Sequence, residues 1–406
     1  EGLNRWIAVS ALSGVALSLV SIFLSDLLLG VSLLLWVVHC VRERRLILQM
    51  PPFAPALLAL IVLTATAVLF SYDPLRSAVY LKTFLKFAYV FLLFTFATPE
   101  QISRGRTWIF AIGLCSASYG MLQYFWLKDV SPLNRIDGFM SHWMTFSGQM
   151  MLLLTAGFAF FLQRLARRDQ PVASTLWIAA ALLLLFAALV LSGTRSAWLG
   201  AAVGILALTL FGRGRWLLAF GACALAAFLL IPDSLRSRAY SAFDLQDRTT
   251  SGRIELLQTG AGIVREHPLT GVGPRMVRTL AYKYRSRDDF PQWLYMHLHN
   301  NLLQVAAEAG IPAALAWLAL WLWPFCHFWQ GWRRLREGAP SSAAAGAGMA
   351  VIAAFLTAGI FEFNYGDSEI LTLLLFWVTA PYVKPSQAMA PSEASVVPHS
   401  APAGGR

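Results

Sequence analysis

Apolar residues occur along this chain in unbroken runs of about 17 to 22 positions, separated mostly by short polar connections. That is the length at which an α-helix crosses the hydrocarbon core of a bilayer. The runs lie at 6–24, 26–41, 54–72, 75–97, 105–127, 146–164, 172–192, 195–211, 214–231, 298–330, 342–361 and 367–383. The pattern predicts an all-α integral membrane protein of about twelve transmembrane helices. It excludes a β-barrel, whose strands alternate apolar and polar residues in segments of roughly ten. The run at 298–330 is too long for one straight span, and Gly310-Ile311-Pro312 predicts a kink or break inside it. Residues 1–231 thus carry transmembrane helices 1–9, 232–297 form one large loop, 298–383 carry helices 10–12, and 384–406 form a disordered tail rich in Pro, Ala and Ser. The first span is expected to be retained rather than cleaved.

The large loop has a pattern of its own. Ile254, Leu257, Gln258, Ala261 and Val264 recur at helical spacing, predicting an amphipathic helix over 252–266 that ends at His267-Pro268. A turn at 270–274 and a second short helix over 275–284 follow.

Composition sharpens this picture. The chain is 57% hydrophobic and 13% charged, against roughly 25% charged in soluble domains. Its 15 Trp suit a protein with many membrane interfaces. The net charge of +11 is not a nucleic-acid footprint, because the cations fall in short clusters between apolar runs. Arg42, Arg44, Arg45, Arg104, Arg106, Arg164, Arg167, Arg168, Arg213, Arg215, Arg333, Arg334 and Arg336 occupy alternate connections. The other short connections hold only Arg76, Lys128, Arg135 and Arg195. Lysine and arginine mark cytoplasmic loops, so both termini are expected in the cytoplasm and the large loop on the opposite face. Cys40, Cys115, Cys223 and Cys326 lie in or at the ends of apolar segments without metal-ligand spacing. They read as small buried hydrophobes, with no disulfide.

Candidate chemistry gathers on the non-cytoplasmic side. Ser192-Gly193-Thr194-Arg195-Ser196-Ala197-Trp198 is a tight hairpin between two spans. A boundary arginine can snorkel to the headgroups, but a hairpin also holds a guanidinium ready for a phosphate. In Met296-His297-Leu298-His299-Asn300-Asn301, either Asn300 or Asn301 is placed to cap the following helix. His299 is placed to act as a general base or to fill a structural role. A zinc site at His297 and His299 is disfavoured, since no neighbouring acid or cysteine completes a ligand set in sequence. Arg253 near the start of the loop helix is either a solvated charge or an anion contact at a helix N-terminus. Arg135 lies in the loop Asn134–Phe139, and Arg265 and Arg275 are near enough in sequence to share the role of Arg253. Lys82 and Lys86 sit one turn apart inside the fourth span, Lys82 nearer the outer end. Cations inside a membrane are functional candidates by default. The set suits an anionic, phosphorylated lipid substrate, with no divalent metal and no cofactor.

The chain resembles the O-antigen ligase / O-antigen polymerase superfamily over about residues 70–383. The resemblance is strongest in 192–198, 251–274 and 299–312. His299-Asn300, nine residues, then Gly310 is similar to the ligase signature, although Ala313 stands where the signature has a second glycine. The resemblance implies a helical fold like that of the C-type glycosyltransferases. It implies transfer of a preassembled glycan from undecaprenyl diphosphate to a sugar hydroxyl of lipid A–core, at the periplasmic face of the bacterial inner membrane. That reaction inverts the anomeric centre and needs no metal. It carries over His299 as base and Arg195 and Arg253 as the diphosphate clamp. Arg135, Lys82, Arg275, Arg265 and Asn300 are then expected in substrate binding. An O-antigen polymerase and a protein O-oligosaccharyltransferase share the donor. A lipid or glycan transporter is the alternative of a different class, disfavoured because no internal repeat is evident.

Overall fold

The computed structural model describes residues 2–128, 134–167, 171–211, 248–287, 290–333 and 342–383. The expected span at 214–231, the first part of the large loop, Cys223 and the expected disordered tail lie outside the described residues. Cys40, Cys115 and Cys326 are free thiols.

Among the described residues all regular structure is helical. The membrane-type helices are α1 (Gly2–Leu17), α2 (Ile22–Glu43), α3 (Ala54–Leu69), α4 (Pro74–Phe96), α5 (Pro99–Leu122), α6 (Trp143–Ala166), α7 (Val172–Leu191) and α8 (Arg195–Phe211). In the large loop come α9 (Arg248–Glu266) and α10 (Val277–Tyr284), then α11 (Asn301–Arg333), α12 (Ser342–Ala358) and α13 (Ser368–Thr379). Each apolar run that falls on described residues becomes a helix with shifted ends. Five helices, α2, α4, α6, α7 and α11, are long and apolar enough to cross a membrane by themselves, and α3, α8, α12 and α13 are shorter apolar helices. The loop helix predicted to begin at 252 starts one turn earlier, at Arg248.

A continuous apolar core runs through the bundle, with α6, α12 and α13 most deeply inside. α12 packs on α8, α6 and α11. The α8–α12 contact is a small-residue crossing. Cβ atoms at Gly200 and Gly204 would stand 2.6 and 2.7 Å from the carbonyls of Ala354 and Ala350, so only hydrogen at both positions allows this approach. The crossing fixes where the start of α8 lies relative to the end of α12.

The kink expected in the long run occurs at Gly310, which has φ 87 and ψ 166. Its cause can be read from the hydrogen bonds. The Ile311 amide turns to the Pro268 carbonyl at 2.8 Å, and Pro312 has no amide to give. The carbonyls of Ala307 and Glu308 thereby lose their helical donors. The amides of Val272 and Gly273 replace them at 2.9 and 3.0 Å. A break in α11 is thus the socket for the 270–274 turn.

The sequence pattern misplaces one pair. Lys82 and Lys86 were expected on one face of an α-helix, but Val79–Phe87 is a 3₁₀ segment within α4. At three residues per turn, positions four apart diverge by about 120°. Lys86 is buried and paired with Asp26, whereas Lys82 is exposed.

Candidate active site

The site is assembled where α11 begins. The Asn300 side chain accepts from the Leu303 amide at 2.9 Å, as an N-cap does, and donates to the Ile360 carbonyl at 3.0 Å. The Asn301 amide reaches the Gly359 carbonyl at 2.7 Å, and its side chain bonds to Asn364 and the Tyr365 amide. Asn300 and Asn301 therefore stitch the head of α11 to the segment joining α12 and α13. His299, next to them, takes φ 48. Left-handed backbone at a non-glycine residue is strained and needs its surroundings to hold it.

That stitching sets Glu362 against His299. His299 Nδ1 lies 3.1 Å from Glu362 Oε1, with the side chains 19% and 12% exposed. The Phe363 amide also donates to Oε1, at 3.2 Å. Burial pushes the Glu362 carboxyl up, but the hydrogen bond and charge of His299, with the charges of His297 and Arg253, outweigh it and hold Glu362 below the usual carboxylate range. An ionised Glu362 fixes the proton on His299 Nδ1, and Nε2, which takes no partner among the described residues, is left as the basic nitrogen. The His297 ring stands 4.0 Å from that of His299. Burial, then the neighbouring His299, push His297 down to about 4, so it is neutral at physiological pH.

Glu362 escaped the sequence reading. It lies 63 residues from His299, and its only local signal was a lone acid at the end of an apolar run. With it, His297, His299 and Glu362 place one ligand atom each within 4.8 Å of one another. The acid that a metal set lacked in sequence is therefore present in space.

The Ser192–Ser196 hairpin meets the same corner. Gly193 turns at φ 66, Ser192 Oγ and Trp198 Nε1 both donate to the Leu189 carbonyl, and Arg195 is the first residue of α8. Arg135 donates to the Gly193 carbonyl at 3.2 Å and lies 5.0 Å from the Trp143 ring centre. Lys128 and Gln123 hold Asp137, steadying the Arg135 loop. A cavity of about 40 Å³ runs between hairpin and acid, lined by Thr194, Ser196, Glu362, Asn364 and Asp367. Thr194 Oγ1 and Glu362 Oε2 are buried beside it without a hydrogen-bond partner. The space and polarity suit an ordered water.

Arg253, near the start of α9, acts on Glu362 by its charge. Arg265 does not share that position. It lies twelve residues further along α9, about 18 Å at 1.5 Å per residue, and is exposed. Arg275, at φ 65, belongs to the turn docked in the α11 break, beside Glu308 rather than Glu362. Among the described residues no contact ties Lys82 to His299. Of the sequence candidates, then, His299, Asn300 and Arg253 meet the hairpin that carries Arg195 and is braced by Arg135, whereas Lys82, Arg265 and Arg275 do not join them.

Fold and site together define a helical, membrane-type protein with a histidine–carboxylate pair among arginines at one end of the bundle. A family model described as O-antigen ligase matches residues 180–318, and this match supports membership of the O-antigen ligase/polymerase superfamily. It spans the hairpin, Arg253, His299 and the Gly310 break. A comparison with curated proteins finds no match.

Proposed function

We propose that the chain is an O-antigen ligase. In this reading it transfers a glycan from undecaprenyl diphosphate to a hydroxyl of lipid A–core, on the periplasmic face of the inner membrane. The observation that carries the reading is the His299–Glu362 pair at 3.1 Å, set within reach of the charge of Arg253. His299 Nε2 takes the proton of the acceptor hydroxyl. The acceptor oxygen attacks the anomeric carbon from the face opposite the leaving group, and the carbon–oxygen bond to the diphosphate breaks with inversion. The electron pair passes to the diphosphate. Its oxygens need charge stabilisation more than a proton, and fixed guanidinium groups at Arg195 and Arg253 supply it without reorganising. Arg135 braces the hairpin, and the apolar helices offer a surface to the prenyl chain.

A specific observation favours a second reading, in which the His297–His299–Glu362 trio holds a divalent cation. One assay separates the two: purified protein, defined undecaprenyl-diphosphate glycan and lipid A–core, in detergent with EDTA. The ligase reading expects product, and expects His299→Ala and Arg195→Ala to abolish it while the proteins still purify as folded species. Loss of activity in EDTA that zinc restores supports the cation, and near-normal transfer by both variants sinks the site assignment. Supplying a second lipid-linked glycan, or a Ser/Thr peptide, as acceptor tests polymerase and protein-glycosylating activity in the same mixture.

A further inference from the structure

A second group of cations lies apart from His299. Arg76 stands in the first turn of α4, Arg275 in the turn after α9 and Arg278 in the first turn of α10. These elements form one corner. Ser77 Oγ donates to the Pro274 carbonyl at 2.8 Å, and the Tyr72 amide to the Val272 carbonyl at 3.3 Å. The α11 break grips the same turn from the other side. Burial, then repulsion from Arg76 and Arg275, hold the Arg278 guanidinium below its ordinary range, and Glu308 is the opposing charge. Arg278 Nε is sealed from solvent without a hydrogen-bond partner. None of the three arginines forms an ion pair with a described acid. Three cations thus share the corner with two carboxylates, Glu308, which acts on Arg275 and Arg278, and Asp73, whose Oδ1 accepts from the Arg76 amide at 3.0 Å, so cations are in excess. Arg275 and Arg278 are part-buried and Arg76 is exposed, and like charges held this close are unfavourable until an anion joins them.

The corner is separate from the reacting centre. Glu308 lies seven residues from Asn301 along α11, about 10 Å of helix. Phe363 stands between, lining a small cavity with Pro274 and Glu308 on one side and meeting the His297 ring on the other. The phosphate that leaves the anomeric carbon is bonded to that carbon through one oxygen and departs on the face opposite His299, so in the ligase reading it stays with Arg195 and Arg253. The corner is left for another phosphate.

We propose that Arg76, Arg275 and Arg278 form a second anion subsite, which takes a phosphate monoester of the glycolipid that accepts the glycan. This rests on the ligase reading. The same chemistry is offered by a phospholipid headgroup or by free phosphate, and the test has an arm for each.

The full chain is placed in nanodiscs of zwitterionic lipid. Binding of fluorescent lipid A–core is measured for its phosphorylated form and for the same lipid after chemical dephosphorylation. Phosphatidylglycerol and inorganic phosphate serve as competitors. The expected result is about tenfold tighter binding of the phosphorylated form, lost in Arg76→Gln/Arg278→Gln and largely kept in Arg76→Lys/Arg278→Lys. In the transfer assay the Gln variant should raise acceptor KM about tenfold and leave donor KM unchanged. Equal binding of both lipid forms overturns the proposal, as does discrimination that survives in the Gln variant. Displacement by phosphatidylglycerol or inorganic phosphate at concentrations equal to the acceptor overturns the assignment to the acceptor. Phosphate discrimination without transfer to any acceptor sinks the ligase reading and leaves the subsite standing.

Discussion

At the scale of single residues, the backbone of His299 is informative before its side chain is considered. Arg44, Arg275 and His299 are the non-glycine residues at positive φ among those described, and Arg44 has an ordinary role as a helix C-cap. The other two are candidate functional residues, each held in place by hydrogen bonds on either side. For His299 the consequence is a fixed tautomer. Its Nδ1 proton is committed to Glu362, so Nε2 is the basic nitrogen. Glu362→Gln keeps the shape but removes the charge. The amide can then present its NH₂ to Nδ1 and stabilise the wrong tautomer, as happens when a triad carboxylate becomes an amide. The expected outcome is a fall in kcat of about 10²-fold or more with KM for both substrates little changed. Steady-state kinetics on the purified variant checks it. An unchanged kcat would show that Glu362 is only a structural partner.

At the scale of elements, the break in α11 decides how the loop meets the bundle. Gly310 lies at φ 87 and ψ 166, a region essentially closed to other residues, and a Cβ there would stand 2.1 Å from the Leu269 carbonyl oxygen. Gly310→Ala is expected to destabilise the protein by about 3 kcal/mol or more, from backbone strain together with the clash. It should also release the 270–274 turn. Thermal unfolding in detergent, followed by proteolysis of the loop, measures both effects. A variant that melts like the parent and resists protease would show that the break does not hold the turn. This element also shows what the sequence conveyed. Run lengths announced the apolar helices, and Gly310-Ile311-Pro312 announced the kink, because both depend on neighbours in the chain. The partner of the kink was hidden, since nothing local says that the amides of Val272 and Gly273 fill the vacated carbonyls. Glu362 was hidden for the same reason, 63 residues from His299. Lys82 and Lys86 misled for a different one: the spacing is helical, but the backbone there winds as a 3₁₀ helix, and only one of the two cations is buried.

At the scale of the whole molecule, the site and the cation clusters imply a sidedness. Tracing the chain, α3 ends at Leu69 beside the 270–274 turn, α4 leads away from it to Phe96, and Arg104 and Arg106 follow at the start of α5. Arg104 and Arg106 therefore lie toward the end of the bundle away from His299. The cost of moving such a cluster across a bilayer favours keeping it in the cytoplasm, and on that rule His299 and the loop are expected outside. Single cysteines on a cysteine-free background test this in intact cells. A membrane-impermeant maleimide should label Trp293→Cys, an exposed loop position, in cells whose outer membrane alone is permeabilised. Arg104→Cys should be labelled only after the inner membrane is also opened. The reverse pattern would put the histidine–carboxylate pair on the cytoplasmic side. A donor glycan presented at the periplasmic face could not then reach it, and the ligase reading would fall with the orientation.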